Sequence, residues 1–182
     1  MRARILRNGT IARLLRLGQS DRGAAAVEFA LVTTILVPLL LNMIDFSILI
    51  WSKMAVENAA QMGAQAAFHT CASGPLPATT NCANFSSAIT TAIHSTSLGS
   101  NVSQASGSPN ENYGCTSGTT IVSVGSYSSP PSPYDCSTVG NSGITPGDYV
   151  TVGVTYSYTP LFSGISLVSS QTLASSGIQR LQ

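Results

Sequence analysis

The chain has 182 residues, enough for one modest domain and an appendage but too few for two full domains. Charged residues make up 8% of the sequence, compared with about 25% in an average soluble protein, and the formal net charge is +1. This composition excludes a typical cytosolic protein.

The basic residues are concentrated at the N-terminus. Six arginines precede residue 23: Arg2, Arg4, Arg7, Arg13, Arg16 and Arg22. A basic patch can bind nucleic acid, but this one contains no aromatic residue and directly precedes a long apolar segment. The arrangement indicates membrane topology and argues against nucleic acid as a partner.

The apolar segment extends from Ala24 to Trp51, with Glu28, Asn42 and Asp45 as its strongly polar members. Its 28 residues exceed the roughly 20 that a helix needs to cross the hydrocarbon core of a membrane. The positive-inside rule places the arginine-rich end in the cytoplasm, so everything after Lys53 is expected outside. This segment does not fit a secretory signal. A typical signal has a shorter apolar core, and its small residues come after that core.

A plain signal anchor would satisfy the hydropathy but would leave Gly23 and Glu28 unexplained. A carboxylate inside a bilayer usually has a partner. Two cations are candidates: Arg22, and the new amino terminus that a cut after Gly23 would create. After such a cut Glu28 would be the fifth residue, one helical turn from the ammonium of its own chain or of a neighbour.

The stretch RGAAAVEFALVTTILVPLLLNMIDFSILIW, residues 22–51, resembles the opening of TadE-like minor pilins of the Tad (tight adherence, or Flp) pilus systems. That pattern has a glycine, alanines, a Glu-Phe pair, an apolar run with a proline, and an acid-Phe pair, which here are Glu28 with Phe29 and Asp45 with Phe46. Near the other end, VTVGVTYSYTPLFSG and TLASSGIQRLQ resemble the closing strand, the Pro-Leu-Phe turn and the basic terminus of the family. The two segments cover about a third of the chain.

The resemblance implies that a prepilin peptidase cuts between Gly23 and Ala24, which makes residues 1–23 a basic leader. It implies assembly through the N-terminal helix, with Glu28, Phe29, Asn42 and Asp45 as assembly residues. The expected partners are that peptidase, other Tad minor pilins and the major Flp pilin. Removal of residues 1–23 would leave 159 residues, far more than a major Flp pilin has, so the resemblance favours a minor subunit.

The same resemblance gives the expected location. The protein would cross the bacterial inner membrane once, with its N-terminus in the cytoplasm and its C-terminal domain in the periplasm, and would be a candidate component of the extracellular pilus. The alternative that the sequence leaves open is a single-pass anchored binding domain that is never processed.

The helical pattern continues past the membrane, so one helix is expected over residues 24–68. A polar stripe on it should face protein rather than lipid: Thr34, Pro38, Asn42 and Asp45. In the other interpretation Asp45 reaches water or Lys53. A second stripe has small residues spaced by four, Ala55, Ala59, Gly63 and Ala67, and fits either another subunit or the chain's own domain.

Residues 69–182 are rich in Ser, Thr, Gly and Asn and contain all four cysteines: Cys71, Cys82, Cys115 and Cys136. An even number of cysteines in an exported domain predicts two disulfides. Three pairings are possible, and the short loops favour Cys71 with Cys82 and Cys115 with Cys136. A zinc site is disfavoured because there is no CxxC motif.

The sequence of residues 69–182, the outer region, predicts an α+β fold for the protein. In this fold the long N-terminal helix packs on a small, mainly antiparallel sheet. A short helix is expected from Phe85, capped by Asn81 or Asn84. Strands are predicted from Thr119 and, by period-two alternation, from Asp148, with a hairpin partner in ISLVSSQTLASS. The segments NVSQASGSPNENYGC and GSYSSPPSPYDC are predicted loops.

No catalytic motif accompanies this fold in the sequence. The acids and histidines after residue 68 are Glu111, Asp135, Asp148, His69 and His94, and no GxSxG, phosphate loop or DxDxDG calcium loop is present. We therefore predict a protein that is not an enzyme and needs no cofactor or metal. A tethered hydrolase that uses a serine and His94 is the remaining alternative.

Overall fold

The computed structural model describes residues 21–71 and 74–182. Most of the predicted leader, residues 1–20, lies outside the described residues. The described chain forms two compact units. One combines residues 21–46 with Leu161–Val168, and the other combines Ser47–Pro160 with Ser169–Gln182.

Helix α1, Asp21–Cys71, contains 51 residues and continues through Pro38. It confirms the predicted long helix and extends it to Cys71. Its apolar window has a mean hydropathy of 2.2, and in the described residues it is the one helix long and apolar enough to cross a membrane. In the first unit most of its apolar side chains are exposed, as in a helix whose solvent is lipid. These features are consistent with a single-pass membrane anchor.

The second part of α1 belongs to the other unit and has a different surface. There it buries small residues against the sheet: Ala55, Ala59, Ala60, Ala64 and Ala67. A Cβ added to Gly63 would lie 2.9 Å from Val152 Cγ1 on the sheet. The stripe of small residues therefore packs on the chain's own domain, which is one of the two interpretations that the sequence leaves open.

The sheet has five antiparallel strands: β1 (Val102–Gln104), β2 (Asn110–Ser117), β3 (Thr120–Gly125), β4 (Gly147–Tyr158) and β5 (Gln171–Arg180). β4 is the central strand. It pairs on one edge with β5, from Tyr149↔Arg180 to Tyr158↔Gln171, and on its other edge with β2 and β1. β3 pairs with β2. The α+β class is confirmed, and β4 forms the predicted hairpin with the next strand, although β5 begins at Gln171 and the first half of ISLVSSQTLASS is not a strand.

The prediction that NVSQASGSPNENYGC is a loop is wrong, because this segment contains β1 and most of β2. β2 can contain polar residues because the Glu111 carboxylate forms hydrogen bonds inside the domain. Its carboxylate accepts hydrogen bonds from the backbone N–H groups of Ala78 at 2.8 Å and Thr79 at 2.9 Å, and from Thr79 Oγ1 at 2.9 Å. The other predicted loop, GSYSSPPSPYDC, contains isolated bridges at Ser126 and Cys136 beyond the end of β3.

Two short helices follow α1 in the chain and precede β1, α2 (Ala78–Asn81) and α3 (Phe85–His94). α3 confirms the predicted short helix and buries Phe85, Ile89 and Ile93. The predicted side-chain cap is wrong. Asn84 precedes α3 in a left-handed conformation with no side-chain cap bond, and its backbone carbonyl accepts the Ala88 N–H at 2.8 Å instead.

Two disulfides close the outer region, Cys71–Cys82 and Cys115–Cys136. This is the pairing that the short loops favour. The first bond ties the end of α1 to the residues between α2 and α3, and the second ties β2 to the loop that precedes β4. A disulfide stabilises a fold mainly by restricting the unfolded chain, by about 2–4 kcal/mol for loops of this kind.

Asp148 is a buried carboxyl group at the start of β4, close to Glu111 and Tyr127. Burial raises its pKa to about 7, and the neighbouring Glu111 carboxylate adds to that shift. The pKa of Tyr127 is raised by burial and by the same two acids. Burial and the neighbouring Glu111 carboxylate therefore favour the protonated form of Asp148.

Helix α1 and strand β5 meet at a contact that only glycine permits. A Cβ on Gly177 would lie 2.5 Å from the backbone oxygen of Ala60. We expect Gly177→Ala to destabilise the outer domain by about 1–3 kcal/mol, because the helix would have to move away from the sheet. Chemical unfolding of the full chain in detergent measures this. Gly164→Ala is the control, since nothing lies within 4 Å of its Cβ position. Equal stability of the two variants would contradict the prediction.

The buried acid predicts a pH dependence of stability. Because the pKa of Asp148 is raised in the folded state, its contribution is fully present below about pH 4 and is lost as the pH rises through about 7. We expect the outer domain to melt at a lower temperature at pH 8 than at pH 5, and Asp148→Asn to reduce that difference. Asp135→Asn is the control, because hydrogen bonds to Ser137 lower the pKa of Asp135. An unchanged pH dependence in Asp148→Asn would refute the assignment.

Candidate processing and assembly site

The predicted cleavage point lies at the start of the described part of α1. Gly23, Ala24 and Glu28 are helical in the structure, and all three are exposed. Ala24 and Glu28 are four residues apart, so they lie on the same face of the helix, one turn from each other. A free amine at Ala24 would thus be within reach of the Glu28 carboxylate of the same chain or of an adjacent helix.

Glu28 is exposed within a surface of apolar side chains. Among the side chains that the structure describes, none binds its carboxylate. Phe29 follows directly and is largely exposed, as are Val27 and Leu31. The predicted assembly residues at this end therefore lie on an open surface of the helix, where lipid or another helix can contact them.

Asn42 and Asp45 are in a different situation, because both bind a loop of the same chain. That loop, Leu161–Val168, belongs to the same unit as this part of α1 and contains the Leu-Phe pair of the predicted Pro-Leu-Phe turn. Asp45 is fully buried, and its two carboxylate oxygens accept the backbone N–H groups of Leu161 at 2.9 Å and Phe162 at 3.3 Å.

Asn42 holds the far end of the same loop. Its Oδ1 accepts the backbone N–H of Leu167 at 2.6 Å, and its Nδ2 donates to the carbonyl oxygen of Ile165 at 3.0 Å. The same Nδ2 donates to the carbonyl oxygen of Pro38 at 2.8 Å, one turn earlier in α1. The amide therefore bridges the helix backbone and the loop backbone.

The sequence predicts that this polar stripe faces protein, and in the structure the protein is the loop of the same chain. Thr34 differs, since its hydroxyl donates to the carbonyl of Ala30 at 2.7 Å and so stays within the helix. Binding of Asn42 and Asp45 to the Leu161–Val168 loop was not predicted from the sequence. Two features of the sequence could have indicated this contact. Two polar residues lie three apart near the end of the apolar run, and the chain has one uncharged Leu-Phe turn.

The outer region has little that could support catalysis or bind a metal. In residues 21–71 and 74–182 there is no group of three or more His, Cys, Asp or Glu side chains that could hold a metal ion. His94 Nε2 lies 3.1 Å from the carbonyl oxygen of Val102, and the Glu111 carboxylate is occupied by α2. All four cysteines are in disulfides.

Comparison with known proteins supports the pattern at the start of the chain. Residues 23–65 match the family model described as TadE-like protein. No curated protein and no solved structure matches the chain. The matched segment begins at Gly23 and includes Glu28, Asn42 and Asp45, whereas the C-terminal resemblance lies outside it. The similarity to the TadE-like family is therefore confined to residues 23–65, the part of α1 that carries the candidate site.

Proposed function

We propose that this protein is a minor pilin of a Tad pilus, made as a prepilin, cut after Gly23 and assembled through α1. The observation that carries the proposal is the coincidence of three features at one place. The TadE-like segment begins at Gly23, the exposed Glu28 follows one turn after Ala24, and large apolar side chains are exposed around Glu28.

The chemistry of assembly follows from that geometry. A carboxylate surrounded by apolar side chains is costly in a membrane or in a subunit interface unless a cation pairs with it. Cleavage after Gly23 would place an ammonium at Ala24 and so create the missing partner. A neighbouring subunit that brings its own terminus to Glu28 would then be fixed in axial register, because a buried charge pair tolerates little displacement.

The topology supports the same function. The arginine-rich leader would keep the N-terminus in the cytoplasm, where the prepilin peptidase site would be reached at the inner membrane, and the outer region would fold in the periplasm. Two disulfides suit that oxidising compartment. Other Tad pilins are the partners proposed for α1, and the outer region is proposed to support adhesion to surfaces and biofilm formation as part of the pilus.

Processing predicts a specific effect at Gly23. We expect Gly23→Val to leave the precursor uncut in the native host, because the peptidase must accommodate the residue next to the scissile bond. Intact mass and N-terminal sequencing measure the loss or retention of residues 1–23, with and without the prepilin peptidase. Gly18→Val is the matched control in the leader and should be cut normally. A mature wild-type protein that still begins at Met1 would favour the unprocessed anchored domain.

Assembly predicts a separate effect at Glu28. We expect Glu28→Gln to be inserted and cut normally but to lower recovery in sheared pili at least about tenfold, the equivalent of 1.4 kcal/mol, because the subunit loses its charge pair. Quantitative immunoblotting of sheared pili against membranes measures this. Glu57→Gln, an exposed acid later on α1, should assemble like the wild type. If Glu28→Gln does so too, the pairing with the new amine is wrong.

A further inference from the structure

The Leu161–Val168 loop is uncharged and carries apolar side chains that point outward. Leu161 is 67% exposed, Ile165 is 49% exposed and Leu167 is 90% exposed. Single exposed apolar residues are common on soluble proteins, but a group of three on one short loop marks a surface that contacts something else.

This exposure belongs to an ordered loop. Asp45 binds the backbone at Leu161 and Phe162, and Asn42 binds it at Ile165 and Leu167, so both ends are attached to α1. Within the loop the carbonyl oxygen of Phe162 accepts the N–H of Ile165 at 3.0 Å and that of Ser166 at 2.9 Å. The apolar side chains are therefore held outward by a backbone whose N–H groups are largely paired.

The attachment lies at a defined depth along the helix. Asp45 follows Ala24 by 21 residues, which is about 32 Å of helix at 1.5 Å per residue. The hydrocarbon core of a bilayer is about 30 Å thick. If α1 enters the membrane near Ala24, the loop is attached where the helix leaves the hydrocarbon on the other side. Met43, Ile44 and Phe46 beside it are also exposed and apolar.

We propose that the Leu161–Val168 loop is a second membrane-contacting element, which inserts Leu161, Ile165 and Leu167 among the acyl chains of the outer leaflet. Non-helical backbone is tolerated at this depth only when its polar groups have partners in the protein. Asn42 and Asp45 supply those partners, and this gives the two polar residues of the membrane helix a function within their own chain. The inference rests on the membrane-anchored state and is independent of processing and of pilus assembly.

Lipid fits this surface better than a second subunit does. The large exposed side chains of the loop are aliphatic, and its sequence from Leu161 to Val168 contains no charge. Interfaces between proteins carry polar groups that fix the register of the partners. Here the polar groups nearest to the loop, those of Asn42 and Asp45, are used inside the chain.

Tryptophan reporters test the proposal in the full chain, because Trp51 is the only native tryptophan. In a Trp51→Phe background, Leu167→Trp reports on the loop. Ile35→Trp reports on the middle of the part of α1 between Ala24 and Asp45, where the helix is exposed. Thr119→Trp, in the exposed turn between β2 and β3, is the control for water. Each variant is reconstituted at low protein density in phosphatidylethanolamine and phosphatidylglycerol vesicles, with lipids brominated near the headgroup or near the chain end.

We expect Leu167→Trp to be quenched by lipid brominated near the headgroup, to be shielded from acrylamide, and to emit at shorter wavelength than Thr119→Trp. Ile35→Trp should be quenched most by lipid brominated near the chain end. If Leu167→Trp behaves like Thr119→Trp while Ile35→Trp contacts lipid, the loop proposal fails and the anchor stands. If Ile35→Trp is not quenched by brominated lipid, both fail.

Varying the protein-to-lipid ratio distinguishes contact of the loop with lipid from contact with a second subunit. The proposal expects the quenching of Leu167→Trp by brominated lipid to be independent of the protein-to-lipid ratio. Shielding that develops only as this ratio rises, with loss of quenching by lipid, would assign the loop to subunit contact and overturn the proposal.

Discussion

The structure depends on the close approach of a helix backbone to a strand backbone. Ala60 of α1 lies against Gly177 of β5 with no room for a Cβ, and a row of alanines continues this contact along the helix. Small side chains let the two elements bury each other without gaps, and Val150, Val152 and Val154 of the central strand complete the same core. The chemistry of α1 therefore changes along its length, from an apolar exterior that suits lipid to a narrow stripe of small residues that suits a sheet.

Asn42 and Asp45 solve a related problem in the first unit. A polar residue in an apolar helix is unfavourable when it faces lipid, and an irregular loop is unfavourable where water is scarce. Pairing the two removes both costs, since side-chain oxygens accept the loop N–H groups and the amide nitrogen of Asn42 donates to a loop carbonyl. Glu28 lies on the same helix without such a partner among the described side chains, so it remains available for a contact outside the chain.

The sequence predicts the elements with strong periodicity and misses those whose stability comes from distant partners. β4 is visible because apolar and polar residues alternate in it, whereas β2 contains Asn110, Glu111 and Asn112 and has the composition of a loop. Glu111 becomes acceptable in a strand only because α2, about thirty residues earlier, donates its first N–H groups to it. The same limit applies to the candidate site. The positions of Gly23 and Glu28 are local and readable, but the partner of Asp45 lies more than a hundred residues away.

The order of the elements has a consequence for export. The surface of α1 around Ala60 is covered by β5, which includes Gly177, so the two halves of this contact are separated by most of the polypeptide. In the proposed topology, the helix surface at Ala60 stays uncovered during translocation until β5 has emerged on the far side of the membrane. A holding chaperone, or the membrane surface itself, would have to shelter that surface in the interval. In the proposed assembly, a subunit would become available only after β5 has been exported.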